Sequence, residues 1–284
     1  MRPKPPAAIQ LFRRNRRMTI AIGADYIDGI IICADTKVVA SDGATTSDMK
    51  ISLALGPPQR AVAVATAAED ARAATMLAEE ISLAAGARDA GPEHIKAIMT
   101  AWHNAYGEQR APQLQFVLGD GVNQTIYLCE PPATVWECGP IAIGRGSRAV
   151  EPFLDIPHGL VPHSASMRAT LLRMAFLMYR AKKDEGSSCG GDTHTAVLPR
   201  GGMFFLVPKE EMAVAEKLAA EIDGLMIDAA RMITADLSII DGSGNSLGKL
   251  SSQYEALLER WRNLDFPSIR LHEWEKGKKQ KIPG

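Results

Sequence analysis

What this 284-residue chain lacks narrows what it can do. It has almost no net charge: 32 Lys and Arg stand against 33 Asp and Glu. A nucleic acid or an anionic membrane is attracted by a basic excess, so neither is expected as a partner. It has no long apolar run. Arg or Glu interrupts every apolar segment well before the roughly 20 residues that span a bilayer. It has only four cysteines, Cys33, Cys129, Cys138 and Cys189. No two of them form a C-x-x-C pair, and no histidine stands at metal-ligand spacing from one. No metal or other cofactor is therefore expected, and a reducing, cytoplasmic setting fits. Ile141–Ser147 is rich in glycine, but the G-x-G-x-x-G fingerprint is missing because Ala149 holds its last place. Dinucleotide binding is not expected either. Internal repeats are absent.

What remains has the composition of an ordinary globular protein, long enough for one large domain with appendages. Residues 1–17 contain Pro and five Arg but no acid, and they lack the apolar stretch of a secretory signal. Two apolar, β-branched runs follow, Met18–Ala24 and Ile30–Lys37, joined through Asp28-Gly29. This reads as a β-hairpin. The first strand begins at Thr19 and the second ends at Asp35, with Lys50 in the next apolar stretch. A threonine hydroxyl needs a base beside it to become a nucleophile, and the threonine's own α-amine can serve if it is free. That amine titrates at roughly 7.7–8.0, close to working pH. A lysine and a carboxylate nearby would tune it.

The pattern T-I-x-x-G, then D-G-x-x-x-x-A-D-T-K, then M-K-I resembles the start of proteasome β-type subunits and their bacterial relatives, the HslV-type and Anbu-type proteins. All are N-terminal nucleophile (Ntn) hydrolases. Asp35 stands sixteen places after Thr19, as the resemblance requires. Lys50 stands thirty-one places after Thr19, one short of the usual lysine, which implies a one-residue deletion. Lys37 occupies a place where many members carry arginine. The resemblance runs from Thr19 to about Ser238 and implies a four-layer αββα sandwich of the α+β class. It implies Thr19, Asp35 and Lys50 as catalytic residues, an oxyanion donor near Thr66 and self-association into a ring-type homo-oligomer. It also implies a peptide or unfolded protein as substrate, with an unfoldase partner unspecified. Two departures stand out. Thr66 replaces the family's oxyanion-hole glycine, and Arg145 replaces the serine of a G-S-G-S turn that supports the nucleophile. A family Asp-x-x-Ser has two candidate matches: Asp184 with Ser187, or an alignment that puts Cys189-Gly190 in the serine-glycine position and leaves no carboxylate.

Three regions follow. Residues 1–18 form a basic extension, which is either a propeptide, a transit peptide or sequence upstream of a true start at Met18. Residues 19–240 form the Ntn hydrolase domain. Residues 241–284 form an extension with a short helix over Gln253–Leu264 and a basic tail, either folded back or wrapped on a partner. Within the domain, helices are expected over Glu69–Ala85, from Pro92, from Ser164 or Ser166 to Lys183, and over Lys209–Ala235 with a bend at Gly224. Strands are expected over Arg60–Ala67, Leu114–Gly119, Gln124–Cys129, Thr134–Cys138, His194–Leu198 and Met203–Val207. The helix ending at Lys183 is apolar on most of its circumference, so it should be buried on two sides, against a sheet and against a neighbouring subunit. His194 lies on a strand and reads as a pairing residue. Three functions fit: a threonine-type peptidase, a non-catalytic ring subunit, and an Ntn amidase acting on a small molecule.

Overall fold

The computed structural model describes residues 19–39, 45–56, 60–68, 71–87, 91–106, 114–154, 166–201, 203–234, 245–267 and 269. The expectations for residues 1–18, for Ser164 and for the basic tail lie outside these. Two five-stranded antiparallel sheets stack face to face. The first has the order β10 (Ile141–Gly144), β1 (Ile20–Tyr26), β2 (Gly29–Asp35), β11 (Thr193–Pro199), β12 (Phe205–Val207). The second runs β5 (Ile51–Gly56), β6 (Arg60–Ala68), β7 (Leu114–Asp120), β8 (Thr125–Glu130), β9 (Thr134–Cys138). Helices α3 (Ser147–Leu154), α4 (Met167–Asp184) and α5 (Lys209–Thr234) cover the first sheet. Helices α1 (Ala71–Gly86) and α2 (Pro92–Tyr106) cover the second. The result is a four-layer αββα sandwich.

Period-two alternation explains why both sheets bury both faces. In β6, Ala61, Ala63, Ala65 and Ala67 face the first sheet, while Val62 and Val64 face α1. The small inner side chains let the sheets approach closely. Gly23 and Gly119 are part of the same fit, because a Cβ on either would lie within 3.0 Å of Val117 or Ile32. The β1–β2 hairpin is tighter than the sequence suggests. Tyr26 pairs with Gly29, so the loop is Ile27–Asp28 and Gly29 opens the strand. A Cβ there would meet the Leu198 carbonyl at 2.4 Å.

Helix α4 starts at Ser166, whose hydroxyl accepts the Ala169 amide, which supplies the N-cap. Its two buried sides face β1 and β2 on one flank and α3 and α5 on the other, so helices of its own chain cover its second apolar side. Residues 209–234 form one helix through Gly224. Helix α6 (Asn245–Asn263) begins earlier than expected and packs on α5. Beyond it Phe266 and Ile269 are buried in the α4 core, and the Leu264 carbonyl accepts Arg168 Nε at 2.8 Å. The described part of the C-terminal segment therefore folds back on its own chain. Strand β10, helix α3 and the small β3–β4 ribbon (Lys37–Val39 with Thr45–Ser47) have no counterpart in the sequence reading.

Candidate active site

The antiparallel pairing of β1 and β2 puts the residue before one strand beside the last residue of the other. Thr19 and Asp35 thereby meet in the interior, with Thr19 2% exposed and Asp35 fully buried. The Thr19 hydroxyl donates to Asp35 Oδ1. Lys50, just ahead of β5, extends its ammonium across the gap between the sheets. Its Nζ lies 2.5 Å from Thr19 Oγ1 and 2.8 Å from Asp35 Oδ1, and it also donates to the Lys37 carbonyl. Burial pushes the Lys50 pKa below its ordinary value, and the Asp35 charge opposes that shift. Asp35 accepts further hydrogen bonds from the Ile20 amide at 3.1 Å and, on Oδ2, from the Gly190 amide at 2.9 Å. A carboxylate with this many donors is held in one orientation.

The turn between α4 and β11 forms the wall behind this triad. The Glu185 carbonyl accepts the Ser188 and Cys189 amides, each at 2.8 Å, which curls the chain so that Gly190 faces Asp35. Lys37 Nζ donates to the Gly186 carbonyl at 2.6 Å, and the Lys37 amide donates to the Gly190 carbonyl at 3.1 Å. Gly191 has φ +71°, and a Cβ there would lie 2.4 Å from Thr36 Oγ1, so only glycine suits this position. A second turn, Gly144-Arg145-Gly146, holds the Thr19 backbone. Gly144 has φ +87°, and its hypothetical Cβ would lie 2.3 Å from the Thr19 carbonyl oxygen. The Gly146 amide donates to that same oxygen at 3.3 Å.

The other sequence-derived residues fall into place unevenly. Arg145 points outward and pairs with Glu185 at 3.1 Å. Asp184 is exposed and pairs with Arg180 on its own helix at 3.2 Å, and the Ser187 hydroxyl is 3.4 Å from that of Ser188. Neither joins the triad. At the place of the alternative alignment, Cys189 is buried and the Gly190 amide contacts Asp35. Burial pushes the Cys189 thiol up to about 12, with the Asp35 charge adding to it and the Lys50 charge opposing. The Thr66 amide does not serve as a free oxyanion donor, because it donates to the Lys50 carbonyl at 3.0 Å as a rung of the β5–β6 ladder. Amides on one strand edge alternate, so the next one facing that way belongs to Ala68. His194 pairs with Ala34. Sequence reasoning missed Glu185, Gly191 and the structural role of Lys37. The Gly190-Gly191 doublet before a strand was a usable signal; the pairing of Glu185 with Arg145 left none. Among the described residues no group of three or more His, Cys, Asp and Glu could hold a metal ion. No helix described is long and apolar enough to cross a membrane.

Comparison with known structures places the fold. An Anbu (Gly-1) mutant from Hyphomicrobium sp. strain MC1 superposes with a TM-score of 0.57 at 15% identity, covering 77% of this chain and 97% of its own. Anbu (ancestral beta-subunit) from Yersinia bercovieri gives 0.57 at 12% identity, covering 75% and 97%. A second Hyphomicrobium Anbu structure gives 0.55 at 14% identity, covering 77% and 97%. No protein-family model matches the sequence, and no curated protein matches it. At such low identity the likeness concerns the fold, and that fold is the proteasome-like one of the Anbu proteins.

Proposed function

We propose that this chain is a threonine-type peptidase of the Ntn hydrolase kind, with Thr19 as nucleophile once the residues before it have been removed. One observation carries the reading: the Thr19 hydroxyl is hydrogen-bonded at the same time to a partly buried ammonium, Lys50, and a buried carboxylate, Asp35. In this reading Thr19 Oγ attacks the peptide carbonyl, and its proton passes to the freed α-amine, directly or through a water. The C–N bond breaks, the proton goes to the departing amine, and water hydrolyses the ester left on Oγ. The Lys50 charge lowers the proton affinity of Oγ, and Asp35 counterbalances the loss of solvation around Lys50. With Thr66 tied into the ladder, the Ala68 amide is the oxyanion donor this reading requires. The substrate is a peptide or an unfolded protein, and the ring-type homo-oligomer implied by the resemblance would sequester the site. Thr19→Ala in the mature chain tests this. The variant should fold as the parent does and lose peptide hydrolysis; undiminished hydrolysis would rule the mechanism out.

A second reading, a non-catalytic subunit of a proteasome-like ring, is favoured by the same Thr66 rung and by Arg145 in the place of a supporting serine. An oligomer that assembles normally and leaves every peptide and amide intact would support it over the first.

A further inference from the structure

Two turns position the reacting pair, and they come from distant parts of the chain. Gly144-Arg145-Gly146 holds the Thr19 carbonyl through the Gly146 amide, and the turn after α4 holds Asp35 through the Gly190 amide. An ion pair between Arg145 Nε and Glu185 Oε2 joins the two turns. The pair is placed to transmit position. Arg145 is flanked by Gly144 and Gly146, which both lie against the Thr19 carbonyl. Glu185 is the residue whose carbonyl winds Ser188 and Cys189 so that Gly190 reaches Asp35. Both turns are also packed together from inside, because a Cβ on Gly146 would lie 2.8 Å from Cys189 Sγ.

We infer that the Arg145–Glu185 ion pair is a positioning clip that fixes the backbone of Thr19 relative to the carboxylate of Asp35. The catalytic consequence rests on Thr19 being the nucleophile; the mechanical one does not. The two side chains are 45% and 25% exposed, so the pair is partly screened by water and its effect is modest and salt-dependent.

The test is a double-mutant cycle on the full-length, mature protein with two readouts, amide hydrogen exchange at Gly146 and Gly190 and steady-state peptide hydrolysis. Arg145→Ala and Glu185→Ala should each speed exchange at both glycines and lower kcat, by about fivefold, with KM unchanged. The double variant should be no worse than either single, and the charge-reversed pair R145E/E185R should recover most of both readouts. Raising salt from about 0.1 to about 1 M, which shortens the Debye length from about 10 to about 3 Å, should weaken the parent and leave Arg145→Ala unmoved. Should either alanine variant fail to fold, Arg145→Lys and Glu185→Gln replace it. Additive singles, unchanged exchange, or a reversed pair as impaired as the singles would overturn the clip. A parent without turnover would count against the proposed peptidase alone, since the exchange readout still decides the clip.

Discussion

The Gly190 amide lies 2.9 Å from Asp35 Oδ2, joining residues 155 positions apart. Through it the turn after α4 takes one carboxylate oxygen, while Lys50, Thr19 and the Ile20 amide share the other. Asp35→Asn puts an NH₂ where one of these sets of donors points. The variant should lose turnover and about 2–4 kcal/mol of stability, read from urea unfolding, because a buried donor then faces donors. A variant as stable as the parent would show that this network holds nothing together.

Gly191 is the conformational condition for that contact. Gly191→Ala places a Cβ on a residue with positive φ and against Thr36 Oγ1. The expected loss is about 1–3 kcal/mol in the unfolding free energy, accompanied by reduced turnover. Gly201, also at positive φ but with open space around it, is the control, and its alanine variant should cost less.

In the proposed mechanism Lys50 sets the alkaline limit. Burial lowers its pKa below the ordinary lysine value. The ammonium is needed for activity in the proposed mechanism, so kcat should fall as pH rises through that lowered value, earlier than an exposed lysine would dictate. Lys50→Arg keeps its charge throughout and should shift the fall to higher pH. The sign for stability is opposite. Below the folded pKa the buried charge costs stability, and between the folded and unfolded values stability should rise with pH.

Asp223 supports the helical layer. It is buried on α5 and accepts Tyr179 Oη at 3.0 Å, Arg180 Nη1 at 2.8 Å and Lys183 Nζ at 2.5 Å, all from α4. Burial alone would raise its pKa, but the bonds from Lys183 and Tyr179 and the cationic charges outweigh it, and the net shift is downward. Its stabilisation is therefore present above the unfolded carboxylate pKa and is lost as pH falls through the lower folded value. Asp223→Asn should cost about 1–3 kcal/mol near neutral pH, discounted for partly exposed partners, and the gap should close in acid.

Much of this was legible because it is local. The hairpin carrying Thr19 and Asp35, the β6 run of Ala and Val, the buried stripe of Leu77, Ile81 and Ala85, and the Ser166 cap follow from periodicity and end signals within a few residues. Strand β10 and helix α3 were hidden by the glycine-rich turn between them and by Pro152 inside the helix. The Asp184–Ser187 match misled because sequence spacing does not say which way a helix end points, and the α4 terminus turns Asp184 outward to Arg180. Thr66 misled for a different reason. Residue type does not reveal which strand edge an amide faces; register does, and it gives that amide to Lys50.

The most direct measurement is intact and N-terminal mass spectrometry of the mature protein from its native host. The account predicts a chain that begins at Thr19 with an unblocked amine and takes up one acyl adduct there from a serine/threonine-directed electrophile. A mature chain that still carries residues before Thr19, with no adduct at that position, would contradict it.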